Sequence, residues 1–374
     1  MNPYYEHGGV SSYCGDNRAI LAALPEKSVQ TCVTSPPYFG QRDYGTATWE
    51  GGDDSCAHTV SRDDGDNKAV FGGRVNRGER THCLKCNATH RDSQIGLEPT
   101  PDEYVAALVS VFRAVHRVLK DDGTCWINLG DSFCSQGGPQ VVQTKSTNRS
   151  GGSDTQNAGK SRSACNGLKP KDLIGTPWMV AFALRADGWY LRSDIIWAKP
   201  NPMPESVTDR PTKAHEYLFL LSKSPKYYYD AAAIREPNCS PQQLTHNQKY
   251  AKPYAIYDER AADTGQPGNV NNVGIHSRGA MEGRNKRSVW TVATQPCSEA
   301  HFATFPQKLI EPCILAGSAE GDTVLDPFFG SGTTGLVARQ LGRKCIGIDL
   351  NPDYLLIQQR RLNVAQKVLF GVSA

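Results

Sequence analysis

The feature that most constrains this 374-residue chain is a glycine-rich turn close to its C-terminus. Residues 330–335 read Gly-Ser-Gly-Thr-Thr-Gly, and residues 323–325 before them have the pattern of a short buried strand. A helix pattern follows to about residue 341, and a second strand at 344–348 ends in Asp349. Strand, glycine turn, helix, strand and acid in this order predict a ligand-binding βαβ unit of an α/β sheet.

Too few residues follow Asp349 to complete a doubly wound sheet, so the other strands must come from the first half of the chain. We therefore predict an α/β, circularly permuted, Rossmann-like fold in which the ligand-binding unit comes last. One predicted helix begins at the capping residue Thr100, runs to Leu119 and ends at residues 121–123. The other predicted elements are strands at 28–34, 124–129, 190–197 and 216–221 and a helix at 178–185.

The glycine turn by itself fits two cofactors, NAD and S-adenosylmethionine (AdoMet). In both cases the glycines let the backbone approach the ligand, and Asp349 would accept hydrogen bonds from ribose hydroxyls. Asp326, at the end of the first strand, favours AdoMet, because a carboxylate attracts a sulfonium and an ammonium and repels a diphosphate. The structural alternative is a turn that only packs the helix against the sheet.

A second motif, Ser35-Pro36-Pro37-Tyr38 (the Ser-Pro-Pro-Tyr segment), directly follows the predicted strand at 28–34. Strand ends at the carboxyl edge of an α/β sheet face the ligand crevice, so we expect the segment beside the cofactor. The Ser35 hydroxyl and the Pro36 carbonyl can accept hydrogen bonds from an exocyclic amine, in a geometry that the prolines fix. The Tyr38 ring can stack on a base flipped out of a duplex. A proline-rich strand terminator is the structural alternative.

Together the two motifs resemble the β-group of DNA amino-methyltransferases, in which the catalytic motif precedes the AdoMet motif. The resemblance covers most of the chain. It implies that the catalytic residues are Ser35, Pro36, Pro37 and Tyr38. It also implies that the residues that bind AdoMet are Asp16, Thr304, Phe305, Asp326, Phe328, Gly330, Gly332, Thr333, Thr334 and Asp349.

The implied function is methyl transfer to the N4 amine of cytosine in double-stranded DNA, by base flipping, within a restriction-modification system. A serine before Pro-Pro-Tyr is usual for N4-cytosine enzymes of this family and an aspartate for N6-adenine enzymes, so adenine N6 is the alternative. An NAD-dependent oxidoreductase would leave the Ser-Pro-Pro-Tyr segment unexplained. A non-catalytic zinc DNA-binding protein would bind DNA unchanged when Asp326 is mutated. The pair Pro296 and Cys297 lacks the surroundings expected of a cytosine C5 enzyme.

Residues 40–95 form a polar insertion without helix or strand periodicity. It contains soft metal ligands in two short groups, as a tetrahedral structural zinc site requires. The predicted ligands are Cys56, His58, Cys83 and Cys86, with His82 and His90 as substitutes. Cysteines without a metal in a polar loop are the alternative.

A second polar region at 236–290 carries the densest basic stretch of the chain. In the family that it resembles, the region between the catalytic and AdoMet halves usually recognises the target. We therefore predict DNA contacts from Arg278, Arg284, Lys286 and Arg287, against the alternative of solvated surface charge. Residues 135–171 are predicted to be mobile, as a disordered linker or as a DNA-clamping loop.

The sequence thus divides into the catalytic strand (1–39), the zinc insertion (40–95), core (96–235), target-recognition region (236–290) and AdoMet-binding part (291–374). A net charge of +3 permits DNA binding but does not require it. Neither a signal-peptide pattern nor an apolar run of membrane-spanning length is present, so we expect a cytoplasmic protein without membrane contact. The sequence leaves open whether it acts as a monomer or as a homodimer.

Overall fold

The computed structural model describes residues 2–41, 44–53, 55–58, 82–83, 85–134, 168–237, 283–295 and 305–369. The strands in these ranges are β1 (Tyr5–His7), β2 (Val10–Cys14), β3 (Val29–Thr34), β4 (Thr48–Glu50), β5 (Thr89–Arg91), β6 (Leu119–Leu129), β7 (Tyr190–Ala198), β8 (His215–Ser222), β9 (Val289–Thr291), β10 (Thr323–Asp326) and β11 (Lys344–Asp349). The helices are α1 (Asn17–Ala23), α2 (Pro101–Val118), α3 (Thr176–Ala186), α4 (Gln307–Gly317), α5 (Thr333–Gln340) and α6 (Pro352–Leu369).

Nine of the described strands form one sheet in the order β1-β2-β11-β10-β3-β6-β8-β7-β9. Strands β2, β11, β10, β3 and β6 pair in parallel, and β8 is antiparallel to both of its neighbours. The C-terminal unit β10-α5-β11 therefore lies between β2 and β3, which come from the first 34 residues. The predicted α/β fold with its ligand-binding unit last in the chain is confirmed.

Helices cover both faces of this sheet because successive strand residues point to opposite sides. In β6, Cys125 and Ile127 pack with α1, α2 and α3, whereas Trp126 packs with α4 and α5. All three of these strand residues are buried. The carboxyl ends of the parallel strands are consequently left free at one edge of the sheet, and the amino end of β8 lies at the same edge.

The predicted helix over residues 100–119 begins as expected, with the Thr100 side chain accepting a hydrogen bond from the amide of Glu103. Its predicted end is wrong. The helix ends at Val118, and Leu119 is extended (φ −67°, ψ 143°) and begins β6 by pairing with Val29. The register shift between Val29 and Thr31 accommodates residues 120–123 within β6, whereas the sequence predicted that this strand begins at residue 124.

Seven described elements were not predicted: β1, β2, β4, β5, β9, α1 and α4. Strand β2 reads Val-Ser-Ser-Tyr-Cys, and its short polar sequence has no apolar face of its own. It is nonetheless an integral strand of the sheet, since it pairs with β11 from Val10 to Cys14 and buries Ser12 completely. Tertiary pairing, rather than local pattern, specifies this strand.

The polar insertion at 40–95 contains a two-stranded antiparallel sheet, β4 with β5. Trp49 of β4 stacks on the ring of His58, with 5.0 Å between the ring centroids. Residues 59–81 of the insertion, and residues 135–167 of the segment predicted to be mobile, lie outside the described ranges. Among the described helices, none combines the length and the apolar character that crossing a membrane requires.

Candidate active site

A cavity of 710 Å³ opens at the carboxyl edge of the sheet, within the range of about 300–1,000 Å³ usual for small-molecule sites. The Ser-Pro-Pro-Tyr segment after β3 and the glycine turn after β10 both line it. Asp16, Asp349 and Glu216 add carboxylates from the ends of β2 and β11 and the start of β8. Two motifs from opposite ends of the chain thus share one space.

Asp326 lies beneath the floor of this cavity rather than on its surface. Its carboxylate accepts hydrogen bonds from the hydroxyls of Thr34 and Thr334, both at 2.6 Å, and from the amide of Phe328 at 3.1 Å. The residue is 1% exposed, and burial raises its pKa to about 6. Asp326 thus ties β3, β10 and α5 together, and the structure does not bring it into contact with the space where a cofactor would lie.

The glycine turn is held in place by α6. Gly332 has φ +79°, which favours glycine, and a Cβ there would lie 3.2 Å from Gln358. The Gln358 side chain donates to the carbonyl of Gly330 at 2.7 Å, and Arg361 donates to the carbonyl of Ser331 at 2.6 Å. Neither Gln358 nor Arg361 was predicted from the sequence. A polar stripe on the final helix, three residues apart, is the signal that could have identified them.

Asp349 meets the glycine turn at the end of β11. One carboxylate oxygen accepts a hydrogen bond from the amide of Gly330 at 2.6 Å, and the other accepts one from the amide of Asn351 at 2.8 Å. Desolvation raises the pKa of Asp349 to about 7, although these two amides oppose the shift. A ligand hydroxyl that donates a hydrogen bond to this carboxylate would stabilise its charged form.

Asp16 stands beside Asp349, because the amide of Gly15 donates to the Asp349 carbonyl at 2.9 Å. The Asp16 side chain caps α1 by accepting from the amide of Arg18, and it also forms an ion pair with the Arg18 guanidinium at 2.6 Å. The hydrogen bond from the Arg18 side chain keeps the pKa of Asp16 below its usual value. The carboxylate is therefore charged at neutral pH.

The Ser-Pro-Pro-Tyr segment is held by groups from three other elements. The Tyr38 hydroxyl lies 2.7 Å from Oε2 of Glu216 and 3.1 Å from Oδ1 of Asn128. The Ser35 hydroxyl contacts the same Asn128 oxygen at 3.4 Å, and the Tyr104 hydroxyl donates to the Pro37 carbonyl at 2.9 Å. Burial, followed by the charge of Glu216, raises the pKa of Tyr38 far above its usual value, so its hydroxyl stays protonated.

Gly130 determines where the Tyr38 ring lies. A Cβ at position 130 would come within 2.5 Å of the ring, so only glycine permits this contact. The ring is therefore fixed by Gly130 on one side and by its hydroxyl at the far end. Tyr38 also lines the cavity, so a ligand would meet its ring in one fixed orientation.

Glu216, Lys199 and Asn128 form a polar network around Tyr38. Lys199 pairs with Oε1 of Glu216, and the Asn128 side chain donates to Oε2 of Glu216 at 3.2 Å and to the Tyr217 carbonyl at 3.1 Å. The Lys199 and Glu216 side chains are only 18% and 15% exposed. Sequence reasoning missed all three. One usable signal was an acid at the head of an otherwise apolar strand.

Comparison with known proteins identifies the family. A family model described as DNA methylase, for N6 and N4 methyltransferases, matches residues 29–360. The Type II methyltransferase M.Cfr9I of Citrobacter freundii is 41% identical over 96% of this chain and 89% of its own length. M.SmaI of Serratia marcescens is 40% identical over 93% of this chain and 89% of its own length.

The chain belongs to the DNA methylase family. It is a DNA methyltransferase of the group that modifies exocyclic amines at N6 or N4. Solved structures share the fold: PvuII DNA methyltransferase, described as cytosine-N4-specific, has a TM-score of 0.54 at 17% identity and covers 99% of this chain and 96% of that chain. A DNA modification methylase of Thermus thermophilus, solved with S-adenosyl-L-methionine, has a TM-score of 0.50 at 19% identity and covers 95% of this chain and 93% of that chain.

The cofactor residues predicted for this methyltransferase fall into three groups. Those that line the cavity are Asp16, Phe305, Phe328, Gly330, Thr333 and Asp349. Those that support the turn without lining the cavity are Asp326, Gly332 and Thr334. Thr304 lies outside the described residues, as do Pro296 and Cys297.

The predicted metal ligands of the methyltransferase come together in space. The ligand atoms of Cys56, His58, Cys83 and Cys86 all lie within 4.8 Å of one another (the Cys/His cluster). The sulfurs of Cys56 and Cys83 are 3.9 Å apart, and the Cys86 sulfur is 3.2 Å from Nδ1 of His58. Ligand atoms around a tetrahedral zinc with bonds to sulfur of about 2.3 Å lie about 3.8 Å apart, so the spacing fits such an ion.

The predicted DNA-binding arginines lie at the base of the second polar region. Arg284 and Arg287 both pair with Glu236, at 3.2 and 3.0 Å, and Lys286 lies 4.9 Å from the centroid of the Trp290 ring. Arg278 lies outside the described residues. Arg284 and Arg287 therefore brace the two ends of the region against each other, and Arg287 remains 66% exposed.

Proposed function

We propose that this methyltransferase transfers a methyl group from AdoMet to the N4 amine of cytosine in double-stranded DNA. The observation that carries the proposal is the shared cavity, in which the Ser-Pro-Pro-Tyr segment and the glycine turn line the same space. When bound, AdoMet supplies an electrophilic methyl group on a sulfonium. The residues of the chain then have two tasks, to hold that ligand and to orient the amine.

The cavity edge near β2 and β11 fits AdoMet. Asp349 can accept hydrogen bonds from the two ribose hydroxyls, and Asp16 lies beside it for the adenine end. Phe328 and the turn backbone at Gly330 complete that wall. Two carboxylates at this edge favour a ligand that carries positive charge over one that carries a diphosphate.

Ser35 and Pro36 perform the second task, which is to orient the amine. An exocyclic amine is a weak nucleophile because its lone pair is conjugated with the ring. Hydrogen bonds to the Ser35 hydroxyl and the Pro36 carbonyl would draw the amine hydrogens out of the ring plane and localise the lone pair. The prolines and the Tyr104 contact to Pro37 keep these acceptors in position before the substrate arrives.

Ser35 supports cytosine N4 as the acceptor, since the resembled family usually has serine here for cytosine and aspartate for adenine. Adenine N6 on the same fold is the alternative. Either base must leave the helix to reach the cavity, at a cost of a few kcal/mol that stacking on an aromatic ring offsets in part. Tyr38, fixed over Gly130, is the aromatic residue for that contact.

Target recognition is assigned to residues 236–290, with Arg278, Arg284, Lys286 and Arg287 as the DNA contacts. The Glu236 pairings support this assignment, because they bring both ends of the region together at one point of the core. Arg287 is exposed enough to reach a phosphate or a base edge. The similar Type II enzymes support a place in a restriction-modification system, and hence in the cytoplasm of a bacterial cell.

The Cys/His cluster would hold a structural zinc with Cys56, His58, Cys83 and Cys86 as ligands. Two backbone hydrogen bonds close a compact turn around Cys83 and Cys86. The Asn87 amide donates to the Cys83 carbonyl at 2.8 Å, and the Cys83 amide donates to the Ala88 carbonyl at 2.7 Å. Gly52 leaves room for the Cys86 sulfur, which would lie 2.8 Å from a Cβ at that position. Zinc would order an insertion that has few apolar residues.

Mass spectrometry of the intact purified protein under native conditions tests the zinc site. We expect one zinc per chain, lost in Cys83→Ser, with a melting temperature lowered by several degrees. Cys313→Ser is the matched control, because that cysteine is buried in the core far from the cluster in sequence. A metal-free wild-type protein with an unchanged melting temperature in the presence of chelator would contradict the zinc assignment.

The function itself is tested by expression in a methylation-deficient bacterial host, followed by single-molecule methylation sequencing and nucleoside mass spectrometry of the DNA. We expect N4-methylcytosine at one sequence motif, and far less of it from the Ser35→Ala variant. N6-methyladenine would establish the alternative base. Unmodified DNA from cells that contain folded protein with AdoMet bound would overturn the proposal and direct attention to RNA or small amines.

A further inference from the structure

Met203 is the most exposed large hydrophobic side chain among the described residues, with 84% of its surface accessible. It lies in the loop between β7 and β8 and contributes to the lining of the active-site cavity. Scattered exposed hydrophobic residues are normal on protein surfaces. Met203 differs from them because it stands at the mouth of a cavity that a base has to enter.

The loop around Met203 is fixed on both sides. On the β7 side, the Asn201 side chain and the backbone of Thr294 exchange two hydrogen bonds, of 3.0 and 3.4 Å. On the β8 side, Glu205 accepts from the Arg210 guanidinium at 2.7 Å and from the Lys213 amide at 3.3 Å. The Arg210 guanidinium in turn stacks on the Phe133 ring at 3.8 Å.

Proline flanks Met203 on each side, at positions 202 and 204. Each proline fixes its own φ, and Pro204 also restricts Met203 to extended conformations. These restrictions hold the backbone at Met203 in an extended course with the side chain exposed. An apolar group held away from the protein surface in this way is suited to a partner that supplies the apolar contact.

Duplex DNA with an extruded base is such a partner. Extrusion leaves a gap between two neighbouring base pairs, and apolar side chains such as methionine and proline insert at unstacked base steps. The thioether chain is flexible and polarisable, so it adapts to base faces.

We propose that Met203 enters the duplex in place of the flipped base and holds the gap open while the base occupies the cavity. This inference rests on the proposed function and adds to it the residue that stabilises the extruded state. Its role depends on the base being paired. A target base without a pairing partner needs less help to leave the helix.

The test compares methyl transfer to two duplexes that contain the motif identified by sequencing. In one the target base is paired normally, and in the other it faces an abasic site. We expect Met203→Ala to lower kcat/KM about tenfold on the paired duplex and less than about twofold on the other. Met203→Leu should retain most of the activity on both. Val207→Ala is the matched control, since Val207 is exposed in the same loop but does not line the cavity.

Equal activity of wild type and Met203→Ala on the paired duplex would overturn the inference. An equal loss on both duplexes would also overturn it, because it would make Met203 a general DNA contact or a structural residue. If the wild-type protein leaves no methylated motif in the DNA of the expression host, the proposed function fails together with this inference. That outcome is distinct from the other two because it does not depend on the variant.

Discussion

The two loops that line the cavity, after the neighbouring strands β3 and β10, are held by different parts of the chain. The glycine turn is fixed by Asp349, Gln358 and Arg361, which are 19, 28 and 30 residues away from their partners in the turn. The Ser-Pro-Pro-Tyr segment is fixed by Tyr104, Asn128 and Glu216, at separations of 67, 90 and 178 residues. The glycine turn is held by residues nearby in sequence, whereas the Ser-Pro-Pro-Tyr segment is held by residues from distant elements of the fold.

Substitutions near the two loops should therefore disturb different steps of the reaction. The glycine turn depends on backbone amides and carbonyls within one βαβ unit and its following helix, so substitutions there should change AdoMet affinity. The acceptor side depends on a side-chain network that crosses three strands, so distant substitutions should change the rate of transfer without changing AdoMet binding. Four predictions test that separation.

The largest effect is expected for Ser35→Ala, which removes an acceptor for the amine hydrogens. We expect kcat to fall on the order of 10²–10³-fold, as for loss of one preorganised hydrogen-bonding group at a reacting centre. AdoMet affinity, measured by isothermal titration calorimetry, should change less than about twofold. Ser193→Ala, on β7 outside the cavity, is the control. Activity that survives Ser35→Ala would show that the acceptor side is wrongly assigned.

Asp349→Asn should weaken AdoMet binding without slowing methyl transfer. Loss of a charged acceptor for the ribose hydroxyls weakens binding by about 1.5–3 kcal/mol, which corresponds to roughly a 10- to 150-fold rise in the Kd for AdoMet. At saturating AdoMet, kcat should stay within about threefold of wild type. Asp121→Asn, an exposed residue far from the cavity edge, provides the comparison. A fall in kcat without a change in Kd would break the proposed division.

Glu216→Gln tests whether the network positions Tyr38. The change weakens a charge-assisted contact to the Tyr38 hydroxyl and leaves Lys199 unpaired, so we expect kcat to fall about 10- to 30-fold with AdoMet affinity unchanged. Tyr38→Phe should have a similar effect. The double variant should lose much less than the product of the two, because both remove the same contact. Fully additive losses would mean that Glu216 acts independently of Tyr38.

The smallest effect is a pH dependence of AdoMet binding. Asp349 has its pKa raised to about 7, so below this pH it is protonated and loses an acceptor for the ribose hydroxyls. Affinity should therefore fall as the pH decreases, by roughly tenfold from about pH 8 to about pH 6. Asp16, with its pKa lowered, stays ionised over this range. Asp349→Asn should bind weakly but with a flat profile. A slope that persists in this variant would assign the titration to another group.

Much of the fold was predictable, because the strand and helix patterns of the central elements agree with their tertiary roles. The boundary of α2 was not, since Leu119 satisfies the apolar helix pattern but is drawn into β6 by its pairing with Val29. The strand β2 could not be predicted because it has no recognisable strand pattern. Its residues lack a pattern, and only the neighbouring strands give them hydrogen-bonding partners.

The candidate site divides in the same way. Asp349 and the glycines were identifiable because a short-range motif fixes both their identity and their spacing. Asp326 was identified as an important residue but was assigned the wrong contact, because a sequence does not tell whether a strand-end carboxylate points up into a cavity or down onto Thr34 and Thr334. Lys199 and Glu216 belong to no short motif, and only the pairing of β7 with β8 makes them neighbours.

Residue types and spacings of a few positions were enough to predict the order of the two motifs, the α/β class and the chemistry that each motif supports. Tertiary structure decided which polar groups face the cavity, which brace it from below, and which apolar side chain stands at its mouth. These properties depend on contacts between strands far apart in the chain. Burial and hydrogen-bond partners exist only once the sheet has formed.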